Sequence, residues 1–266
     1  MLGVSTEMGM TKIMVTGCRG GCGASTVAAG LACALAHAGK RTVLLDFDLS
    51  ERSLDMYLGC EDRVVYDLGD LLIGQTGVKK IAVTPQGIDS LYLIPGAYHL
   101  RRPPTGEETA RVFTVLEQEL DADYLVIDAS NASNPAVKIC AALSDEVLLV
   151  VLDTPLAVRS ATSLADTLHE WGKDDMKMVV NRFSMTPKNP TDLRALIDET
   201  GLCLIGVVPE SAGFARLQNE GIPACSAKEG REVVAAFRNM AKRVMGEVCP
   251  LLSDIPCPRK KLLDLS

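Results

Sequence analysis

The sequence predicts an α/β fold: a doubly wound, mostly parallel sheet of about seven or eight strands with helices on both faces. Three observations predict it. Apolar runs of five to seven residues, dominated by Val, Ile and Leu, alternate with segments of helical period. The runs show little polar alternation, which means burial on both faces, as in a parallel sheet covered by helices. The chain has 266 residues, 47% of them hydrophobic, enough for one sizeable core, and no repeat or long linker divides it.

The elements follow in order. "KIMVT" (12–16) reads as the first strand, and "STVAAGLACALAHAG" (25–39) as a helix apolar nearly all round, stopped by Gly39. "TVLLDF" (42–47) and "SLYLIP" (90–95) are the next strands. "TGEETARVFTVLEQEL" (105–120) opens with Thr105 and Glu108 in a capping-box pattern, so a helix starts there. Strands "YLVIDA" (124–129) and "EVLLVVL" (146–152) precede a helix over 157–171. Strand "MKMVVN" (176–181), a helix over 190–201, strand "CLIGVV" (203–208) and a helix over 230–248 complete the alternation. We read residues 1–9 as a disordered leader, 10–248 as one domain and 249–266 as a tail. That tail is broken by Pro250, Pro256 and Pro258.

Composition sets limits. Aromatics are 4%, so the core is aliphatic. The net charge of −7 argues against nucleic-acid binding through a broad basic surface. Nine cysteines are scattered without C-x-x-C or zinc-like spacing, which fits small core residues in a reducing cytosol. Cys18 and Cys22 flank loop glycines, and a redox role there is the alternative to packing. The longest apolar runs are far too short to span a bilayer, so the expected location is cytoplasmic.

Chemistry concentrates in "TGCRGGCGAST", Thr16 to Thr26. Gly20, Gly21 and Gly23 let backbone N–H groups close around phosphates. The helix from Ser25 turns its positive end toward an anion. The Ser25 hydroxyl is placed to ligate Mg²⁺. A phosphate loop then needs a lysine before that serine, and here the residue is Ala24. Losing one charged hydrogen bond costs about 1.5–3 kcal/mol in binding, and more in hydrolysis, where charge develops on the transferring group.

"CRGGCGAST" resembles the variant phosphate loop of the MinD/ParA ATPases, x-K-G-G-x-G-K-[ST]-[ST]. Arg19 and Ala24 stand at its two lysines. "TVLLDFDLSERSLDMYLGCEDRVVYDL" (42–68) resembles the segment of that family where D-F-D, R-x-L-D and G-C-E-x-R-V-V-Y-D occur in order. "YLVIDASNAS" (124–133) is similar to its switch strand, with Ser130 and Ala132 in place of proline and glycine. The resemblance implies a P-loop NTPase fold, ATP or ADP with Mg²⁺, and a sandwich dimer. Asp48 would position the attacking water, and Arg19 would reach the partner's nucleotide. Gly20, Gly21, Cys22, Gly23, Ala24, Ser25 and Thr26 would form the nucleotide loop. Asn181, Arg182 and Pro209 would flank the base, and Ser25, Asp46 and Asp128 would serve Mg²⁺.

On this resemblance the chain is a degenerate or weak ATPase, acting as a dimeric switch or positioning partner of the division-site type. The alternative is an active Mg²⁺-dependent ATPase with Arg19 substituting for the missing lysine. The dimer would form with itself or with a related, lysine-bearing ATPase. The nitrogenase iron protein shares this fold, but Cys140 has no second cysteine in a matching context. The ending "RKKLLDLS" matches the family's membrane helix poorly. It leaves weak contact with the inner membrane face and a frayed tail as alternatives.

Overall fold

The computed structural model describes residues 9–184, 193–226, 229–251 and 253. Seven strands form one sheet: β1 (Thr11–Gly17), β2 (Thr42–Asp46), β3 (Leu91–Ile94), β4 (Tyr124–Asn131), β5 (Glu146–Leu152), β6 (Met176–Phe183) and β7 (Cys203–Pro209). All pairings between them are parallel, in the order β3-β2-β4-β1-β5-β6-β7. Each of the seven expected strands is present, and the sheet is flanked on both sides by helices. The inner strands carry almost nothing but buried aliphatic side chains, which is why their sequences lack polar alternation.

The expected helices appear as α1 (Ala24–His37), α5 (Gly106–Leu120), α7 (Pro155–Glu170), α8 (Leu193–Thr200) and α10 (Arg231–Val244). The capping box of α5 is formed: the Glu108 N–H donates to the Thr105 hydroxyl at 3.2 Å, and the Thr105 N–H to the Glu108 carboxylate at 2.8 Å. Helix α7 starts two residues before the expected Ala157. Thr154 caps it and Pro155 occupies its first turn, where proline's fixed φ helps and its missing N–H costs nothing. Helix α10 stops at Val244, short of Val248.

Five shorter helices lie between these: α2 (Leu54–Tyr57), α3 (Leu68–Leu72), α4 (Val78–Ile81), α6 (Val137–Leu143) and α9 (Ala212–Asn219). They run four to eight residues, too short to show a helical period. The start of the tail folds back onto the domain. The Arg243 guanidinium donates to the Cys249 carbonyl, and the Asn239 amide to the Ser253 carbonyl, both at 2.6 Å. The leader up to residue 8 and "RKKLLDLS" (259–266) lie outside the described residues.

Helix α1 fills the centre of its face with small residues, and α10 packs against it closely. A Cβ added at Gly30 would stand 2.4 Å from the Phe237 ring. Helix propensity alone favours alanine there by about 1 kcal/mol. The clash is expected to win, so Gly30→Ala lowers the unfolding free energy by about 1–3 kcal/mol. Urea titration of the two proteins checks this.

Candidate functional site

The order in which the chain adds strands reverses around β1. From its C-terminal end the chain enters the glycine loop, while β4 and β2 run alongside. In an open parallel sheet this is where ligands bind, because loops on either side diverge and leave a crevice. The crevice here is a polar cavity of about 320 Å³. Its floor is the loop from Arg19 to Thr26, one wall is Asp48 to Tyr57, and Ser130, Asn131 and Arg182 complete the rim.

The loop is built to keep its backbone exposed. Gly21 and Gly23 take φ of 76° and 88°, in the left-handed region that glycine enters without strain. A Cβ at Gly23 would lie 2.2 Å from the Asn181 amide nitrogen. That amide donates to the Cys22 carbonyl at 2.9 Å and is buried. Asn181, placed beside the base by the resemblance, thus has its amide engaged with the loop itself. Arg182 does line the cavity, with φ of 51°. Pro209 ends β7, buried, and is not part of the cavity lining. The Thr26 hydroxyl is paired with Gln218 of α9 at 3.0 Å. Ala24 is buried in the core and faces the cavity with a single methyl group.

Three carboxylates meet opposite the loop. Asp46 and Asp128 are register partners on β2 and β4, and both are buried, as is Asp48. Asp46 accepts from the backbone N–H groups of Asp48 at 3.2 Å and of Ser53 and Leu54 at 3.4 Å. It therefore brackets the start of α2. Asp48 accepts from the Ser50 N–H at 2.8 Å and hydroxyl at 2.6 Å. Asp128 accepts from the Ser130 N–H through Oδ1 at 2.9 Å, while its buried Oδ2 has no hydrogen-bond partner. Burial, with the charge of Asp128 beside it, holds the Asp46 carboxyl well above the usual range. Burial pushes Asp128 up to about 6, although the Ser25 hydroxyl and Ser130 N–H favour its anion.

These residues fit a Mg²⁺-bound nucleotide phosphate. A Cβ at Gly20 or Gly21 would meet no protein atom within 4 Å, so the space over those backbones is open. The orphaned Asp128 oxygen lies at the same end of the sheet as the Ser25 hydroxyl. Among the described residues no three His, Cys, Asp or Glu side chains form a metal cage. Mg²⁺ commonly takes one or two protein ligands and completes its shell with phosphate oxygens and water.

The segment after Asp128 is pinned. Its backbone reaches Gly17 through the Ala132 N–H at 3.0 Å. The buried Asn134 amide donates to the Phe47 carbonyl at 2.8 Å and the Ala129 carbonyl at 3.1 Å. Sequence reasoning missed Asn134 and Gln218, because both act through contacts distant in the chain. Cys18 is pushed up to about 12 and Cys22 is also raised, each chiefly by burial. Such thiols stay protonated and unreactive, so packing rather than redox chemistry explains them. Cys140 is fully buried in α6.

A glycine loop feeding a helix N-terminus, opposite strand-end carboxylates, defines a P-loop nucleotide-binding protein. The CobQ/CobB/MinD/ParA nucleotide binding domain matches residues 13–224, and the chain belongs to that family. It is 30% identical over 244 residues to the septum site-determining protein MinD of Bacillus subtilis, covering 90% of each chain. Its fold is similar to the MinD of an Aquifex aeolicus MinC:MinD cell division protein complex. There the TM-score is 0.82 at 28% identity, over 91% of this chain and 98% of the other. It also matches MinD of Pyrococcus horikoshii complexed with Mg-ADP, at TM-score 0.76 and 23% identity, over 89% and 96% of the chains. Among the described residues no helix is long and apolar enough to cross a membrane.

The buried acid predicts a pH dependence. Asp128 titrates near 4 when unfolded and near 6 when folded, so the folded chain holds the extra proton between those values. Stability therefore falls as pH rises through that window. At pH 7 without ligand, Asp128→Asn is expected to be more stable than the native protein by about 1–3 kcal/mol, the gain fading toward pH 4. Thermal unfolding from pH 4 to 8 checks it.

Proposed function

We propose that this chain is an adenine-nucleotide-binding switch of the MinD type, a degenerate or weak ATPase that works as a dimeric positioning partner. The observation that carries this reading is the cavity itself. An open backbone cradle lies on one side and the unpartnered, buried Asp128 oxygen on the other, with Ala24 where a phosphate-binding cation is expected. The N–H groups from Gly20 to Thr26 hold the phosphates. Ser25 and Asp128 hold Mg²⁺, with Asp46 behind them. Bound Mg²⁺ supplies the positive charge that the phosphates and the buried acids lack. Asp48 orients water. Asn181 acts on the nucleotide through the loop, and Arg182 flanks the base. The pinned segment after Asp128 favours slow turnover, because a phosphate sensor must move.

The kinship with septum site-determining MinD supports division-site selection as the process, in the cytoplasm or at the inner membrane face. The partner is another copy of the chain or a lysine-bearing relative, together with a protein of the kind bound in the MinC:MinD complex. A second reading is an active ATPase in which Arg19 replaces the lysine. It is favoured by the position of Arg19, exposed on the cavity rim with a fork of donors suited to phosphate.

Calorimetric titration of MgATP into the native protein and Ala24→Lys tests the proposal. Native binding is expected at micromolar levels, on the order of −8 kcal/mol, tightening roughly ten- to a hundredfold with the lysine restored. Binding by Ala24→Lys alone overturns nucleotide binding for the native chain. Native turnover that falls on Arg19→Ala moves the choice to the second reading.

A further inference from the structure

We propose that Tyr57 is a phosphate-binding residue of this site, its phenol hydroxyl donating to the bound phosphates from the wall opposite the glycine loop. The inference rests on the nucleotide-binding reading above and names a donor that helps offset the missing lysine.

Tyr57 ends α2 and lines the same 320 Å³ cavity as Gly20, Ser25 and Asp48. The cavity's two arginines, Arg19 and Arg182, are exposed on its rim, while Tyr57 is half-buried in its wall. Three other polar side chains of the lining are committed. The Ser50 hydroxyl bonds Asp48 at 2.6 Å, Thr26 bonds Gln218, and the Asn131 amide bonds the Ser130 hydroxyl at 3.1 Å. A tyrosine also carries its donor further from the backbone than any serine, so it can cross space left by an alanine on the facing side.

The ring is held in place before any ligand arrives. Leu54 and Leu58, on either side of it in sequence, are buried in the core. Asp46 accepts from the first N–H groups of α2, and the buried Asp55 carboxylate is bonded by the Arg52 Nε at 2.7 Å. The phenol is hydrogen-bonded by the Ser53 side chain, and it feels the charges of Asp128, Glu51 and Arg182. Burial first raises its pKa, with Asp128 and Glu51 adding to it against the Ser53 bond and Arg182, so it stays a protonated donor throughout the physiological range. A neutral donor also leaves the Mg²⁺ charge undisturbed, whereas a second carboxylate would repel the ligand.

Tyr57→Phe keeps the ring and removes only the hydroxyl. Calorimetry with MgATP and with Mg²⁺-pyrophosphate is expected to show about a tenfold or greater loss for both, the second probe having no base or sugar. The melting temperature without ligand should hold within a few degrees, because the ring and its packing are kept. In an Ala24→Lys background the same substitution should cost less than about threefold, since the lysine then meets the same oxygens. Equal affinity of the native protein and Tyr57→Phe overturns the proposal while leaving nucleotide binding intact. A loss of affinity matched by a fall in melting temperature assigns Tyr57 to packing and also overturns it. No MgATP binding by the native chain overturns both readings together.

Discussion

The hydrogen bond from the Asn181 amide to the Cys22 carbonyl is the interaction on which the site depends. A phosphate loop works only if its N–H groups face the crevice and its carbonyls find partners elsewhere. Here Cys22 turns its carbonyl to β6, two strands away from β1, on the side of the loop opposite the carboxylate strands β2 and β4. That contact requires glycine at position 23, because any side chain would collide with the amide. Gly23, the N-cap of α1, takes the left-handed turn that leads from this contact into the helix.

The second constraint is electrostatic. Three buried carboxylates crowd the ends of β2 and β4 with no lysine in the loop to balance them. Burial and mutual repulsion raise Asp46 and Asp128, and a cation beside them would favour their anions. Asp46 and Asp48 already spend oxygens on backbone N–H groups, while Oδ2 of Asp128 is buried without a partner. The same hydrogen bonds from Asp46 fix the start of α2, so the acid cluster and the tyrosine wall are one mechanical unit.

Much of the fold was legible because its signals are local or strongly periodic. Aliphatic runs such as Glu146–Leu152 have only one comfortable solution, a strand buried on both faces. The box of Thr105 and Glu108 announced the start of α5 in four residues. The short helices were not legible. Helix α3 is fixed by the Asp67 carboxylate, which caps its first N–H groups and also accepts from the Tyr98 N–H at 2.8 Å, 31 residues away. Ser130 and Arg182 adopt positive φ at the cavity rim, conformations for which their residue types carry no advertisement.

The sequence by itself determined the class of fold, the position of the glycine loop and the identity of the acids facing it. Each of these follows from hydrophobic pattern, turn chemistry or a motif of contiguous residues. Only the tertiary structure decided how the side chains are spent. Asn181 braces the loop, Asn134 pins the segment after Asp128, Gln218 takes the Thr26 hydroxyl, and Asp128 keeps one oxygen bare. Those outcomes depend on which distant backbone groups arrive within hydrogen-bonding distance once the sheet has closed. A one-dimensional pattern carries no record of that distance.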